Sequence, residues 1–381
     1  MQSKRPIYLD NNATTQVDPR VLEVAIHYMR EEYGNAGSRT HEYGTKAKQA
    51  VAKARRIIAE AVKATPNDVI FTSGATESNN LAILGLAPYG LKSGKKHIIT
   101  SPIEHKSVLE PIEHLEKQGF EVTYLPMDET GVVKAADVRD ALRDDTLLVS
   151  VMHANNETGM IQPITEVADI IEAHPALLHT DAAQTFGKLI APLQDPRIDL
   201  ISISGHKLYA PKGVGCLIAR NTNRARKHLT PLVWGGGQEG GLRPGTSPVH
   251  LIAALGRSVE LAEAEHHERL NQCTLIRDEL ILSLSKCNPI IHGKGPHRLH
   301  NTLCFALPPY DADALILALK DDISISTGSA CTSHSFSLSH VLSAMCIDEQ
   351  HCEMSIRVSW SHNTGIDEIS NVKWNMLTNN T

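Results

Sequence analysis

The 381-residue chain contains 41% hydrophobic and 21% charged residues. This balance is typical of a folded globular protein and excludes disordered, collagen-like and coiled-coil classes. The formal net charge of -6 gives no overall attraction to nucleic acid or to an anionic membrane, so we expect no direct sequence-specific nucleic-acid binding. The first residues contain no apolar segment of signal-peptide length, and no run of about 18 apolar residues occurs. A cytoplasmic protein that does not span a membrane is expected.

Short β-rich runs alternate with helical patterns between residues 69 and 220. This alternation predicts a mostly parallel sheet covered by helices, an α/β fold. The helical patterns include residues 106–118 and 164–174. The predicted strands are residues 69–73, 97–101, 121–125, 147–152, 177–180 and 200–204.

The last third of the chain has a different pattern. A long helical stretch at 248–285 follows a glycine-rich segment and predicts the connection to a second, smaller α+β domain. We expect the large domain to span 16–260 and the small domain to combine 1–15 with 261–381. Strand patterns of the small domain occur at 301–306, 323–327 and 355–360, and the opening run 7–10 could return to it.

Polar clusters follow five of the predicted strands. Ligands of parallel α/β sheets bind beyond the carboxyl ends of the strands, so these clusters predict one shared binding site. They are Gly-Ala-Thr-Glu at 74–77, Glu-His at 104–105, Asn-Asn-Glu at 155–157, Asp-Ala-Ala-Gln at 181–184 and Ser-Gly-His-Lys at 204–207.

Lys207 and Asp181 form a chemical pair. Desolvation lowers the pKa of a lysine just past a buried strand, and such an amine can form a Schiff base with an aldehyde cofactor. A carboxylate beside a pyridine nitrogen keeps that ring protonated, as pyridoxal phosphate requires to withdraw electrons. A surface lysine in a turn and an aspartate N-cap are the alternatives. Gln184 could hydrogen-bond the phenolic oxygen of the ring or complete a capping box.

Other candidates in these clusters suit a phosphate and an aromatic ring. Thr76 lies where a strand passes through glycine into a helix, a natural phosphate site, and Ser204 and His206 could supply further donors. His105 could stack on a cofactor ring and move protons near neutral pH. A plain N-cap for Thr76 and a structural role for one of the twenty histidines are the alternatives.

Seven cysteines, an odd number with no C-x-x-C pair, predict neither a disulfide framework nor a zinc site. Cys331 lies among small polar residues, unlike the other six, which predicts an exposed nucleophilic thiol. Cys346, His351 and Cys352 are close in sequence, but their spacing matches no standard metal pattern, so packing is favoured and no metal is expected. Arg357, in a predicted strand, could bind a substrate carboxylate through its guanidinium or form a structural ion pair.

Taken together, the motifs resemble the cysteine desulfurases of the NifS/IscS type, within the aminotransferase-like, fold type I pyridoxal-phosphate enzymes. The resemblance extends over nearly the whole chain and is far more specific than any single motif. The matching segments are 8–15, 34–38, 74–80, 104–106, 155–157, 181–184, 204–207, 243–246 and 328–333.

The resemblance implies a seven-stranded, mostly parallel sheet and pyridoxal 5'-phosphate joined to Lys207. It implies that Asp181 pairs with the ring nitrogen, Gln184 contacts the phenolic oxygen and His105 stacks on the ring. The implied phosphate ligands are Ala75, Thr76, Ser204 and His206, with Thr246 contributed by the second subunit of a homodimer.

The resemblance also implies the reaction. Asn156, at the cofactor, would bind the substrate together with Arg357 and Asn35. L-cysteine would become L-alanine, and Cys331 would take the sulfur as a persulfide. An acceptor protein would then receive the sulfur for iron–sulfur cluster assembly, tRNA thiolation or DNA phosphorothioation. A selenocysteine lyase, or another pyridoxal-phosphate-dependent β-elimination or transamination enzyme, would not need Cys331. A non-catalytic binding subunit is the alternative from another class.

Overall fold

A computed structural model describes residues 5–220, 225–327, 338–370, 372 and 374. The strands are β1 (Ile7–Tyr8), β2 (Val69–Thr72), β3 (His97–Thr100), β4 (Glu121–Tyr124), β5 (Thr146–Ser150), β6 (Leu177–Asp181), β7 (Leu200–Ser204), β8 (Gly215–Ala219), β9 (Ile290–Ile291), β10 (Thr302–Ala306), β11 (Ile323–Ser324), β12 (Ser326–Thr327) and β13 (Ser355–Ser359). The α-helices are α1 (Pro19–Arg30), α2 (Glu42–Ala61), α3 (Ala75–Leu84), α4 (Ala87–Ser93), α5 (Lys106–Glu116), α6 (Ala135–Ala141), α7 (Ile164–Ile171), α8 (Val249–Ala264), α9 (His266–Leu284), α10 (Ala312–Leu319), α11 (His340–Ala344), α12 (Glu349–Glu353) and α13 (Ile366–Ser370).

The larger sheet has seven strands in the spatial order β2-β8-β7-β6-β5-β3-β4. Its neighbouring strands are parallel except at β8, which is antiparallel to both β2 and β7. The prediction of a mostly parallel, seven-stranded sheet flanked by helices is therefore confirmed.

All strands of this sheet except β4 are buried on both faces. Alternate side chains of a strand point to opposite faces, so Ile70 and Ile98 pack under α3, α4 and α5. Phe71 and Ile99 pack on the other side, against α1, α2, α7 and α8. Burial on both faces explains why these strands read as nearly continuous apolar runs in the sequence.

The six strands predicted for this sheet end within two residues of β2 to β7. Strand β8 was not among them. The long predicted helix at 248–285 is two helices, because the chain leaves helical geometry at Glu265 (φ -106°, ψ 12°). The Glu265 carboxylate there accepts hydrogen bonds from Arg20 and from Arg269, the latter at 2.8 Å.

The smaller sheet is antiparallel, with the order β12-β13-β10-β9. It packs with α9, α10 and α13 around a separate core that includes Leu9, Phe305 and Trp360. Strand β1 returns to this region and pairs with β11, as the sequence suggested. The domain limits at 16 and 260 stay a prediction. Across the described ranges, no helix combines the length and apolarity that a membrane crossing requires.

Candidate active site

A cavity of about 460 Å³ lies beyond the carboxyl ends of the parallel strands, a size typical of small-molecule sites. All five predicted polar clusters contribute to its wall, so the sheet brings together residues that are up to 133 positions apart in the chain. The predicted site residues on the wall are Ala75, Thr76, His105, Asn156, Asp181, Gln184, Ser204, His206 and Lys207.

The segment that follows β1 closes one side of this cavity. Lys207 Nζ donates to the backbone carbonyl of Asn12 and, at 2.7 Å, to that of Ala13. Gln184 Nε2 donates to the same Asn12 carbonyl at 3.1 Å. The sequence analysis assigned no role to Asn12. It lies in the matching segment 8–15, which is far from Lys207 in the chain.

Asp181 ends β6 and is 6% exposed. Its Oδ1 accepts a hydrogen bond from the Ala183 N–H at 2.8 Å, and its Oδ2 accepts one from Asn79 Nδ2 at 2.7 Å. Two neutral donors therefore orient the carboxylate at the cavity wall. Asn79 is a second residue to which the sequence reasoning gave no role.

His105 is the N-cap of α5 and lines the cavity. Its pKa is lowered, first because burial penalises the imidazolium, and further by the positive charge of Lys207; the Asp181 carboxylate opposes both effects. The imidazole is therefore neutral near pH 7, which suits it to stack on an aromatic ring.

The start of α3 forms another part of the cavity wall. Gly74, its N-cap, has φ +156° and provides no capping side chain, so the first N–H groups of the helix keep their capacity to bind an anion. A side chain at Gly215 would lie 2.3 Å from the Ile203 carbonyl oxygen and 2.7 Å from Gly74 Cα. Only glycine at position 215 lets the strands approach this closely.

His206 also lines the cavity. Its pKa is lowered to about 4, chiefly by burial and further by the positive charges of Lys207 and Lys212, so its imidazole is neutral.

The remaining predicted residues lie elsewhere. Arg357 is 1% exposed, and its Nη2 donates to Asp10 Oδ1 at 2.7 Å. This contact is the structural ion pair that the sequence analysis gave as the alternative to binding a substrate carboxylate. It reaches the wall indirectly, through a 3.2 Å bond from Nη1 to the Asn156 carbonyl. Asn35 and Thr246 are exposed and do not line the cavity. Cys331 lies outside the described residues.

The cluster of Cys346, His351 and Cys352 is engaged locally. His351 Nδ1 bonds the Asp348 carboxylate, and Cys352 is buried in a small core with Met345. No group of three or more metal-binding side chains occurs within the part of the chain that the structure covers.

A buried carboxylate, Glu157, lies behind the wall. It is 3% exposed, and Ser339 Oγ donates to its Oε2 at 2.5 Å. Burial raises the pKa of Glu157 from its ordinary value of 4.5 to about 7, although Ser339 and Arg357 act in the opposite direction. The folded protein therefore binds this proton more tightly than the unfolded chain does.

Glu157 makes stability depend on pH. Its contribution is fully present below pH 4.5, the ordinary pKa, and is lost as the pH rises through about 7, a loss of roughly 3 kcal/mol. Glu157→Gln imitates the protonated acid, so the stability of wild type relative to this variant should fall by about that amount between pH 4.5 and 8. Urea unfolding at both pH values measures it, with the exposed Glu172→Gln as control. A difference that does not change with pH would contradict the prediction.

Comparisons with known proteins agree with this geometry. The model of the aminotransferase class-V family matches residues 7–372. The cysteine desulfurase IscS of Colwellia psychrerythraea is 44% identical over 369 residues, which cover 96% of this chain and 90% of that protein. A solved NifS-like protein has a TM-score of 0.87 at 37% identity, covering 96% of each chain. The solved structure of SspA in complex with cysteine has a TM-score of 0.82 at 39% identity, covering 93% of this chain and 98% of that one.

Fold and site thus define a class-V aminotransferase architecture with a lysine and an aspartate in one cavity. The chain belongs to the aminotransferase class-V family and, within it, to the cysteine desulfurases. The resemblance read from the motifs is confirmed.

Proposed function

We propose that this enzyme converts L-cysteine to L-alanine, with pyridoxal phosphate as cofactor, and takes the sulfur as a persulfide on Cys331. The observation that carries the proposal is the convergence of Lys207, Asp181 and His105 with a free helix N-terminus on one cavity. The cysteine bound to the similar protein SspA supports the choice of substrate.

The wall fits pyridoxal phosphate chemically. Lys207 would attach its aldehyde, Asp181 would pair with its ring nitrogen and His105 would cover its ring. Within the described ranges Gln184 Oε1 is buried without a hydrogen-bond partner, and its amide nitrogen, which donates one hydrogen to the Asn12 carbonyl, has a second hydrogen for the phenolic oxygen. The proposed phosphate ligands are Ala75, Thr76, Ser204 and His206, with Thr246 from a partner subunit. When bound, this cofactor supplies an aldehyde that condenses with amines and a protonated ring that withdraws electrons.

The protein's own groups would then act in sequence. Lys207, held next to the cavity by the Asn12 and Ala13 carbonyls, takes the Cα proton of the substrate once its amine is neutral. Asn156 orients the substrate carboxylate, and Arg357 holds the Asn156 backbone in place through its hydrogen bond to the Asn156 carbonyl. Cys331 thiolate attacks the substrate sulfur, so that an S–S bond forms while the Cβ–S bond breaks. The electron pair of the broken bond stays with carbon, which takes up a proton and becomes the methyl group of alanine.

Several exposed apolar side chains support the proposed homodimer. Met29 is 62% exposed, Val233 61% and Trp234 78%. Tyr33 and Tyr43 are also exposed, and their rings lie 5.4 Å apart. Large apolar side chains exposed to solvent favour a protein interface, and a second copy of the chain is the partner that would supply Thr246.

The proposed function is tested with protein incubated with pyridoxal phosphate. We expect an absorbance band near about 400 nm from the lysine-bound cofactor. On addition of L-cysteine without reductant, we expect alanine and protein persulfide in equal amounts. Protein that stays colourless would be a non-catalytic subunit. Pyruvate and ammonia released with free sulfide, but without a persulfide, would identify a β-elimination enzyme.

The sulfur acceptor can be identified with the same protein. Enzyme loaded from radioactive cysteine and mixed with cell extract should pass the label to one macromolecule in a cysteine-dependent way. The label ends in protein if the sulfur is used for iron–sulfur clusters. It ends in nucleic acid if the sulfur is used to thiolate tRNA or to modify DNA.

A further inference from the structure

Two buried polar side chains, Asn79 and Ser107, connect Asp181 to His105. Asn79 Nδ2 lies 2.7 Å from Asp181 Oδ2 and 2.9 Å from Ser107 Oγ, and Ser107 Oγ lies 2.7 Å from His105 Nδ1. Building on the proposed function, we propose that Asn79 and Ser107 are positioning residues which hold His105 with its hydrogen on Nε2. In the resting enzyme His105 then donates a hydrogen bond into the cavity and does not act there as a base.

The direction of the first hydrogen bond is set by Asp181. A carboxylate only accepts hydrogen bonds, so the Asn79 amide must present its nitrogen to Asp181. The opposite orientation would place two acceptor oxygens 2.7 Å apart. The chosen orientation leaves Asn79 Oδ1 buried without a partner among the residues that the structure describes, which is less costly than that repulsion.

The direction of the remaining bonds follows from the first. The Asn79 amide nitrogen has two hydrogens, and the second is donated to Ser107 Oγ. The hydroxyl hydrogen of Ser107 is then available for His105 Nδ1, and the Ser107 backbone N–H also donates to Nδ1 at 3.1 Å as part of the helix cap. Two donors make Nδ1 an acceptor, so the hydrogen of the neutral ring is on Nε2.

Burial protects this set of bonds. Asn79 is fully buried and Ser107 is 8% exposed, so water competes little for either side chain. The charged and titratable groups that act on the ring are Asp181, Lys207, His340 and Glu110. Hydrogen bonds to the neutral form of a base disfavour its protonated form, so the connection adds to the lowering of the His105 pKa that burial begins.

The first experiment uses the wild-type protein loaded with pyridoxal phosphate and labelled with ¹⁵N-histidine. The His105 signals are assigned by their absence from His105→Gln. We expect an Nδ1 shift typical of an unprotonated nitrogen and an Nε2 shift typical of an N–H nitrogen. A hydrogen on Nδ1, or a doubly protonated ring at pH 7, would overturn the proposal. This measurement needs no cysteine, so it stands even if desulfuration is not the activity.

The second experiment removes the connection. Ser107→Ala should lower kcat for alanine formation about tenfold, the effect of one lost hydrogen bond, and should raise the apparent pKa on the acid side of the pH profile. Ser107→Thr keeps the hydroxyl and should restore both. Ser78→Ala removes a neighbouring buried hydroxyl bonded to Thr72 and Gly74, and should change neither.

The double variant Asn79→Ala/Ser107→Ala tests whether the two residues act on His105 through one connected set of hydrogen bonds or independently of each other. If the two residues act in series, the double variant should be no slower than the slower single variant. Effects on kcat that multiply, with an unchanged pH profile, would mean that both residues only support the packing. Absence of alanine from cysteine in wild type, with the Nε2–H ring observed, would instead reject the proposed function alone.

Discussion

Replacing Cys331 with serine is expected to eliminate the protein persulfide and to reduce alanine turnover on the order of 10⁴-fold. A thiolate attacks sulfur readily, whereas a serine hydroxyl stays protonated at neutral pH and is a poor sulfur nucleophile. The pyridoxal-phosphate band should remain, because the residues proposed to hold the cofactor are unchanged. Alanine is measured by chromatography and the persulfide by mass spectrometry of the intact protein.

The matched control is Cys346→Ser, which removes an exposed thiol that lies outside the resembling motifs. It should keep the wild-type rate and the persulfide. If Cys331→Ser kept forming persulfide, the sulfur would be carried by another cysteine. If it kept forming alanine at the wild-type rate, the enzyme would be one of the pyridoxal-phosphate alternatives that do not need this thiol.

Replacing Lys207 with alanine is expected to lower the rate of alanine formation by about 10⁴-fold. This is the upper end of the rate loss that follows removal of a general base. The variant also loses the amine that would attach the cofactor, so pyridoxal phosphate should dissociate on dialysis, while wild type should retain it. Added methylamine should restore part of the activity, because a small amine can fill the space vacated by the lysine side chain.

Lys212→Ala is the control for this experiment. Lys212 lines the same cavity but is exposed, so its loss should leave the cofactor attached to Lys207. Cofactor that stays covalently bound in Lys207→Ala would show that another amine forms the Schiff base, and the assignment of residue 207 would be wrong.

Local patterns were sufficient for most of the larger sheet. The strands β2, β3, β5, β6 and β7 are runs of four or five residues that are buried throughout, whereas β4 is only partly buried. Strand β8 was not predicted, although it is fully buried as well. The break at Glu265 was not predicted either; the Glu265 carboxylate there bonds Arg20, 245 positions away in the chain.

The same distinction holds for the site. Residues with a chemistry of their own, such as Lys207, Asp181 and His105, were found because they follow strands that end at one edge of a sheet. Asn12, Asn79 and Ser107 act through hydrogen bonds to those residues, and an asparagine or serine in isolation most often caps a helix or closes a turn. No local pattern separates these two roles.

By itself, the sequence determined the kinds of elements, the strand ends at which the site forms and the reactive groups available there, because apolar periodicity and side-chain chemistry are local properties. The tertiary structure decided which groups meet. It turned the Arg357 guanidinium toward Asp10, and it placed Asn79 between Asp181 and Ser107. Hydrogen-bond direction and burial depend on neighbours distant in the chain, so they exist only after the sheet has formed.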